Sequence, residues 1–325
     1  MKLASFVAQG RESWGIVEED SVRDLGARFA DLKAALAHGA PGEIADMAAD
    51  APRIPLARIA WLPVIPRPDK ILCIGINYAM HRAEMGRAEV PYPTVFTRFF
   101  NTQVGHGQPI VRPRASRQLD YEGELAVVIG RAGRAIAARD ALSHVAGVSV
   151  YNDGSVRDWQ SHTCQFTPGK NFPSTGAFGP WLVSLDEVGD LSSLRLRTRV
   201  NGETVQDAST ADMIFKVPEL IAYCSTFTEL VPGDVIITGT PGGVGSKRVP
   251  PLWLKDGDLV EVGISNIGTL ANPVRDEGRG AGDRRDPRGS RLRSRSPTAP
   301  KERRRRRSGY AAVVRDTWKL PAAAG

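Results

Sequence analysis

Two glutamates, Glu122 and Glu124, stand two residues apart at the start of the apolar stretch DYEGELAVVIG. Positions i and i+2 of a β-strand face the same side, so a strand here would bring the two carboxylates together. Neighbouring carboxylates repel each other, and a divalent cation would remove that repulsion. Oxygen ligands favour a hard cation such as Mg²⁺, Mn²⁺ or Ca²⁺ over Zn²⁺. The alternative is a solvent-facing strand end that merely carries two charges.

A third carboxylate, Asp153, follows an apolar run in the stretch YNDGSVRDWQ. At the end of a strand, Asp153 would be placed to serve as a third metal ligand. Arg157 and Gln160 lie one helical turn further on, where they could hold a substrate carboxylate or carbonyl. The alternative is an Asx-type turn in which Asp153 caps a helix.

His81 and Glu84 are three residues apart in NYAMHRAE, so on a helix they share a face. A carboxylate beside an imidazole fixes its tautomer and raises its basicity, which suits a general base. The alternative is a surface pair with no catalytic role. Lys170 follows a glycine in GKNF and could reach a developing enolate or a carboxylate, although most lysines are simply solvated.

The stretch DVIITGTPGGVG, residues 234–245, is an apolar strand that runs into a glycine-rich loop. Two observations exclude a nucleotide site. The Walker A spacing is absent, and the prolines at Pro250 and Pro251 oppose the helix that a dinucleotide site needs. Free backbone N–H groups near Thr240 could still bind a substrate carboxylate.

The elements that must position these residues fall into two regions. Residues 1–65 are predicted to form a small N-terminal α/β domain, which ends at three prolines between residues 63 and 68. Residues 66–277 are predicted to form a second domain, rich in strands and in Gly/Pro turns. The predicted strands are 2–7, 13–18, 125–129, 182–183, 195–200, 234–238 and 259–264. The predicted helices are 29–37, 43–49 and 213–227, the last with Pro218 inside it.

The net charge of +7 comes from the C-terminal stretch. Residues 278–325 carry 15 lysines and arginines and 4 acidic residues, a net +11, which leaves −4 for residues 1–277. The mildly acidic charge of residues 1–277 therefore does not indicate a nucleic-acid-binding protein. The stretch has few large apolar residues, so it is predicted to be a disordered Arg-rich tail with a short segment at 310–319. Arg303–Arg307 could bind nucleic acid non-specifically, or the tail could be a shifted reading frame.

The cysteine content and the hydropathy of the sequence indicate where in the cell the protein is located. The three cysteines form no CxxC pair, which excludes a disulfide scaffold and favours a reducing, cytoplasmic location. No apolar run approaches the roughly 18 residues of a membrane span, and the N-terminal residues lack the pattern of a secretory signal.

In this order and combination, the motifs resemble the fumarylacetoacetate hydrolase family over Lys70–Glu277. The matching stretches are GINYAMHRAEM, DYEGELAVVIG, YNDGSVRDWQ, FTPGKNF, FGPWLV, MIF, TGTPGGVG and GDLVEVGISNIGTLANPV. Family members often have NDVSARD where this chain has NDGSVRD, and the metal-binding aspartate and the arginine are kept. The resemblance implies an α+β protein, with a mixed β-roll or distorted barrel as the catalytic domain and the small N-terminal domain packed on it. It also implies a homodimer.

The resemblance assigns roles to the residues singled out above. It implies that Glu122, Glu124 and Asp153 bind Mg²⁺, with Mn²⁺ or Ca²⁺ as alternatives. It implies that His81 and Glu84 act as a dyad that activates water or moves protons. The remaining implied residues are Lys170 as a catalytic group and, as substrate contacts, Arg157, Gln160 and Thr240.

The implied reaction is hydrolysis of a C–C bond in a 1,3-diketo acid such as an acylpyruvate or fumarylpyruvate, as in aromatic-compound or 2-oxo acid catabolism. The metal would act as a Lewis acid on developing enolate charge, and His81 would take a proton from the attacking water. Lys170 would assist the departing enolate. The same residues also suit an isomerase, a decarboxylase or an oxaloacetate tautomerase, and the sequence does not separate these outcomes.

Overall fold

The computed structural model describes residues 1–278. The predictions of a disordered tail and of a short segment at 310–319 fall outside these described residues.

The described residues form nineteen strands and seven α-helices. The strands are β1 (Lys2–Ala8), β2 (Arg11–Glu18), β3 (Ser21–Asp24), β4 (Arg53–Pro55), β5 (Ile59–Trp61), β6 (Ile71–Gly75), β7 (Thr94–Thr97), β8 (Gln103–Val104), β9 (Ile110–Arg112), β10 (Leu119–Asp120), β11 (Gly123–Ile129), β12 (Val145–Asn152), β13 (Ser155–Val156), β14 (Gly176–Val183), β15 (Arg195–Val200), β16 (Glu203–Ser209), β17 (Val235–Ile237), β18 (Leu259–Ile264) and β19 (Gly268–Asp276). The helices are α1 (Leu32–His38), α2 (Pro41–Asp46), α3 (Ala79–Glu84), α4 (Arg157–Gln160), α5 (Thr167–Lys170), α6 (Leu185–Val188) and α7 (Val217–Phe227).

Two sheets organise the body. A twelve-stranded sheet has the order β4-β3-β2-β1-β14-β12-β11-β17-β6-β7, with β5 added beside β1 and β8 beside β14. A five-stranded sheet has the order β16-β15-β18-β19-β9, and β10 pairs with β13 alone. Most pairings are antiparallel, whereas β17–β6, β14–β8 and β19–β9 are parallel. The predicted α+β class, dominated by sheets with few helices, is confirmed.

Strand β11 lies at the centre of the body because both of its faces are apolar. Leu125, Val127 and Ile129 share one core cluster with residues of β15, β18 and β19. Ala126 and Val128 point to the opposite face and share a second cluster with N-terminal residues. The uninterrupted run LAVVI is typical of a strand buried on both faces, and every residue of β11 is buried. This strand therefore provides a rigid base for the acidic residues at its start.

The N-terminal strands belong to the same sheet as the strands of the second region. Strand β1 pairs with β14, with Lys2 opposite Val183 and Leu3 opposite Leu182. The division of the chain into domains at about residue 65 stays a prediction.

All seven predicted strands are present, although β14 begins at Gly176 rather than at residue 182. All three predicted helices begin at residues other than those predicted. Helix α1 begins at Leu32 because the Asp31 side chain accepts a hydrogen bond from Ala34 N at 2.8 Å and so caps the helix. Helix α2 begins at Pro41, because proline suits the first position of a helix.

Helix α7 begins at Val217, so the predicted start at Met213 is wrong. Residues 210–212 form a separate 3₁₀ turn. Pro218 lies in the first turn of α7, where its missing N–H loses no hydrogen bond. It therefore starts this helix rather than kinking it.

Among residues 1–278, no helix is both long enough and apolar enough to cross a membrane.

Candidate metal centre and active site

The pairing of β11 with β12 brings the three predicted metal ligands together. In this antiparallel pair Gly123 lies opposite Asn152, so Glu122 and Asp153 are the next residues at the same end. Asp153 N donates to Glu122 O at 2.8 Å. Carboxylate oxygens of Glu122, Glu124 and Asp153 lie within 4.8 Å of one another, and all three residues are buried. The geometry is that of a compact, oxygen-only cluster.

Two buried cations and one partly buried cation surround this cluster but pair with only two of its members. Lys170 Nζ lies 2.6 Å from Glu122 Oε2 and 2.5 Å from Asp153 Oδ2. Arg157 Nη2 lies 2.7 Å from Glu122 Oε1. Arg98 Nη1 donates to Asp153 Oδ1 at 2.6 Å. Glu124 has no such ion pair among the described residues, and its carboxylate accepts a hydrogen bond from Gly239 N.

The pKa values follow this uneven pairing. Burial, together with the nearby charges of Asp153 and Glu122, raises the pKa of Glu124 well above its usual range. Burial also opposes ionisation of Glu122, but the positive charges of Lys170 and Arg157 hold its pKa below the usual range. A divalent cation would compensate the remaining charge at Glu124, and three carboxylates are a suitable donor set for Mg²⁺ or Mn²⁺. The residues present therefore fit a hard divalent metal.

The His81–Glu84 pair lies on α3, close to the cluster. His81 Nδ1 is 3.0 Å from Glu84 Oε2, and Glu84 Oε1 accepts a hydrogen bond from Gly243 N at 3.1 Å. Burial works against ionisation of Glu84, but the hydrogen bonds from His81 and Gly243 lower its pKa overall. The ionised carboxylate fixes the ring of His81 through Nδ1, which leaves Nε2 as the nitrogen able to exchange a proton with a substrate.

Arg157 and Gln160 occupy the two ends of α4. Arg157 Nε donates to Asp120 Oδ2 at 2.8 Å, and its Nη1 donates to Gln160 Oε1 at 2.9 Å. The guanidinium is thus held in place by Asp120 and Glu122. The roles of Arg157 and Gln160 as substrate contacts stay predictions.

The glycine-rich loop after β17 uses its backbone N–H groups on protein carboxylates. Gly239 N donates to Glu124, Gly243 N to Glu84, and Gly245 N to Asp120 Oδ1 at 2.8 Å. These groups are therefore not free for a substrate. A side chain at Gly239 is excluded, because its φ is +101° and an added Cβ would lie 2.7 Å from the Asn77 Cβ. The loop holds the acids of the site in position.

Thr240 is anchored on two sides. Its Oγ1 donates to Gly123 O at 3.0 Å and accepts a hydrogen bond from Gln206 Nε2 at 2.8 Å. Its role as a substrate contact stays a prediction.

One cavity of about 210 Å³ connects these groups. Seven of the nine predicted site residues line it: His81, Glu122, Glu124, Arg157, Gln160, Lys170 and Thr240. Glu84 and Asp153 lie behind this lining, paired with His81 and Lys170. All nine therefore belong to one connected group of side chains.

Sequence reasoning missed two buried residues that hold the cluster. Arg98 follows β7, and no local pattern marks it, because its partner Asp153 is 55 residues away in the chain. Asp120 stands within the DYEGE motif and accepts hydrogen bonds from Gly245 N and Ser246 N, besides its pair with Arg157. Its position beside Glu122 is the one signal that could have found it.

Known proteins share this arrangement of sequence and fold. Residues 70–275 match the family model for the C-terminal region of fumarylacetoacetate (FAA) hydrolase. The mitochondrial oxaloacetate tautomerase FAHD2A of Homo sapiens is 44% identical over 230 residues, which cover 70% of this chain and 73% of that protein. The oxaloacetate tautomerase YisK of Bacillus subtilis (strain 168) is 46% identical over 214 residues, 65% of this chain and 71% of that protein.

A solved structure, maleylpyruvate hydrolase from Sphingobium sp. SYK-6 in complex with manganese(II) and pyruvate, has a TM-score of 0.72 and 28% identity. It covers 86% of this chain and 100% of that chain. Since one relative is mitochondrial, the cytoplasmic location expected for this protein stays a prediction. The family match includes the acidic cluster and the His81–Glu84 pair. The chain belongs to the fumarylacetoacetate hydrolase family of metal-dependent enzymes.

Proposed function

We propose that the protein interconverts the enol and keto forms of a small 2-oxo acid, with oxaloacetate as the representative substrate and Mg²⁺ or Mn²⁺ as the metal. The observation that supports this most is the joint presence, at one cavity, of a buried carboxylate cluster and a carboxylate-held imidazole. The relatives with 44% and 46% identity are named as oxaloacetate tautomerases, which favours tautomerisation over cleavage.

The acids Glu122, Glu124 and Asp153 would hold the cation. When bound, the cation would draw electron density from the 2-oxo group and lower the cost of enolate charge. The cavity is small, since pockets for drug-sized ligands have volumes of about 300–1,000 Å³, and it suits a short acid rather than a long acyl chain.

Tautomerisation moves two protons and breaks no carbon–carbon bond. One proton leaves C3 of the keto form, and another reaches the 2-oxo oxygen. His81 Nε2 is the group suited to accept the first proton, because ionised Glu84 stabilises the imidazolium that results. Lys170 supplies positive charge beside Glu122 and Asp153, on the side of the cavity where enolate charge develops.

Hydrolysis of a C–C bond is the second candidate function. The same His81–Glu84 pair would suit activation of a water molecule, and the maleylpyruvate hydrolase with 28% identity shares the fold. The two reactions differ in whether a water is held beside His81, and product analysis separates them.

The test is an assay of chelator-treated protein with and without added Mg²⁺ or Mn²⁺. Loss of enol-oxaloacetate absorbance is followed, and the keto product is trapped with a malate dehydrogenase. Metal-dependent formation of keto-oxaloacetate above the spontaneous rate would support the tautomerase. Pyruvate with CO₂ would indicate a decarboxylase instead. Pyruvate with a second carboxylic acid, formed from an acylpyruvate, would indicate the hydrolase.

The homodimer remains a proposal. Light scattering during size-exclusion chromatography of the full chain tests it.

A further inference from the structure

We propose that Arg87 binds the second, distal carboxylate of the substrate and so makes the site selective for 2-oxo dicarboxylic acids. This inference rests on the proposed function, because it requires the 2-oxo acid end of the substrate to lie at the acidic cluster. It assigns a specificity residue that lies outside the nine residues predicted from the sequence.

Arg87 lines the same cavity as the acidic cluster. It follows α3 in the chain, after Gly86, whose positive φ of 63° turns the backbone there. The residue is exposed, whereas Glu122, Glu124 and Lys170 are buried. The cavity thus has a buried end that carries the cluster and an exposed part that carries Arg87.

The other cations of the cavity already have carboxylate partners. Lys170 contacts Glu122 and Asp153, and Arg157 contacts Asp120 and Glu122. Arg87 has no ion pair with any acid in residues 1–278. Arg82, five residues earlier, does have one, since its Nη1 lies 3.6 Å from Glu89 Oε1. Arg87 is therefore the cation of this cavity, within the described chain, whose guanidinium is available to an anionic ligand.

Apart from the cations, the cavity wall offers a distal carboxylate only neutral groups, such as the hydroxyls of Ser161 and Thr163. Met85, Phe96 and Phe166 also line the cavity, and apolar groups leave an anion without hydrogen bonds. A guanidinium offers two parallel N–H donors that match both oxygens of a carboxylate. An uncharged acyl group would gain nothing from it. The chemistry of this wall consequently favours a substrate with a carboxylate at each end.

The test compares oxaloacetate with its 4-methyl ester, which removes only the distal charge. Equilibrium binding of each compound to Mg²⁺-loaded protein is measured by calorimetry, and kcat and KM are measured separately. Arg87→Gln is the main variant and Arg87→Lys keeps the charge. Arg82→Gln is the matched control, because it removes a neighbouring arginine that does not line the cavity.

We expect Arg87→Gln to weaken oxaloacetate binding about 10- to 100-fold, through KM rather than kcat, because one charge-assisted contact is lost. The ester should bind wild type and Arg87→Gln equally, Arg87→Lys should recover part of the affinity, and Arg82→Gln should change neither compound.

If Arg87→Gln weakened the binding of oxaloacetate and of the ester equally, the inference would be overturned. Arg87 would then affect the structure of the cavity wall rather than bind the distal carboxylate. Equal binding of the two compounds by wild type would overturn it as well. If wild type binds oxaloacetate but does not catalyse its tautomerisation, the proposed function fails, while the binding ratios still decide the role of Arg87.

Discussion

Replacing Arg98 with methionine should lower the free energy of unfolding by about 3–5 kcal/mol, because the buried carboxylate of Asp153 loses one of its two cationic partners. The Arg98 side chain is 0% exposed. Its Nη1 donates to Asp153 Oδ1 at 2.6 Å and to Gly154 O at 2.9 Å, and its Nη2 donates to Thr175 Oγ1 at 3.0 Å. Methionine has similar length but offers none of these donors.

The contacts that remain decide where in this range the loss falls. Lys170 Nζ still lies 2.5 Å from Asp153 Oδ2, so one oxygen of Asp153 keeps a cationic partner. Thr175 Oγ1 still donates to Phe172 O at 2.8 Å. The uncompensated atoms are Asp153 Oδ1 and Gly154 O, and each buried polar atom without a partner costs about 1–3 kcal/mol. Two such atoms together account for a loss of about 2–6 kcal/mol, which agrees with the expected 3–5 kcal/mol.

The measurement is urea unfolding of metal-free protein, followed by tryptophan fluorescence at constant pH. The control is Arg28→Met, which breaks the Arg28–Asp50 pair of 2.6 Å, whose side chains are 47% and 77% exposed. An exposed pair contributes about 0–1 kcal/mol, so this variant should be nearly as stable as wild type. Equal losses in the two variants would refute the argument from burial.

Three further predictions concern the site. His81→Ala should lower kcat about 10²- to 10⁴-fold in the tautomerase assay, and a near-wild-type rate would remove His81 as the proton-transfer group. Glu124→Gln should weaken Mg²⁺ binding at least about tenfold in a calorimetric titration but leave the metal-free protein no less stable, because burial raises the pKa of Glu124 and so already favours its neutral form, which the amide resembles. Gly154→Val should destabilise the fold by about 1–3 kcal/mol or more in urea unfolding, since an added Cβ would lie 1.9 Å from Thr175 O. The exposed Gly42, with no atom within 4 Å of its added Cβ, provides the control Gly42→Ala, which should cost little.

The acidic cluster was predictable because its geometry is local. The two-residue period of a strand places Glu122 and Glu124 on one side, and the three-residue spacing of a helix places His81 beside Glu84. A single pairing, β11 with β12, then brings Asp153 to the cluster.

The supporting contacts were not predictable, because they join residues far apart in the chain. Asp120 and Gly245 are 125 residues apart, and only the fold brings the acid to the loop amide. For the same reason, the sequence did not show that three N–H groups of the loop, those of Gly239, Gly243 and Gly245, bind the protein's own acids Glu124, Glu84 and Asp120. The misplaced start of α7 has a local cause, since apolar spacing alone does not show that Pro218 belongs to a first turn.

The site holds one more carboxylate than it holds cationic side chains, and this excess shows whether the cluster serves metal binding or stability. Four buried carboxylates, those of Asp120, Glu122, Glu124 and Asp153, face the buried cations Arg98 and Lys170 and the partly buried Arg157. A cluster that served stability alone would gain by losing its fourth acid, because an uncompensated buried charge costs free energy. Glu124 is the carboxylate without a cationic partner among the described residues, it lies near the start of the fully buried strand β11, and the same burial raises its pKa. The excess carboxylate is therefore better explained by a bound cation than by the packing of the fold. For this reason Glu124→Gln is expected to weaken metal binding without lowering the stability of the metal-free protein.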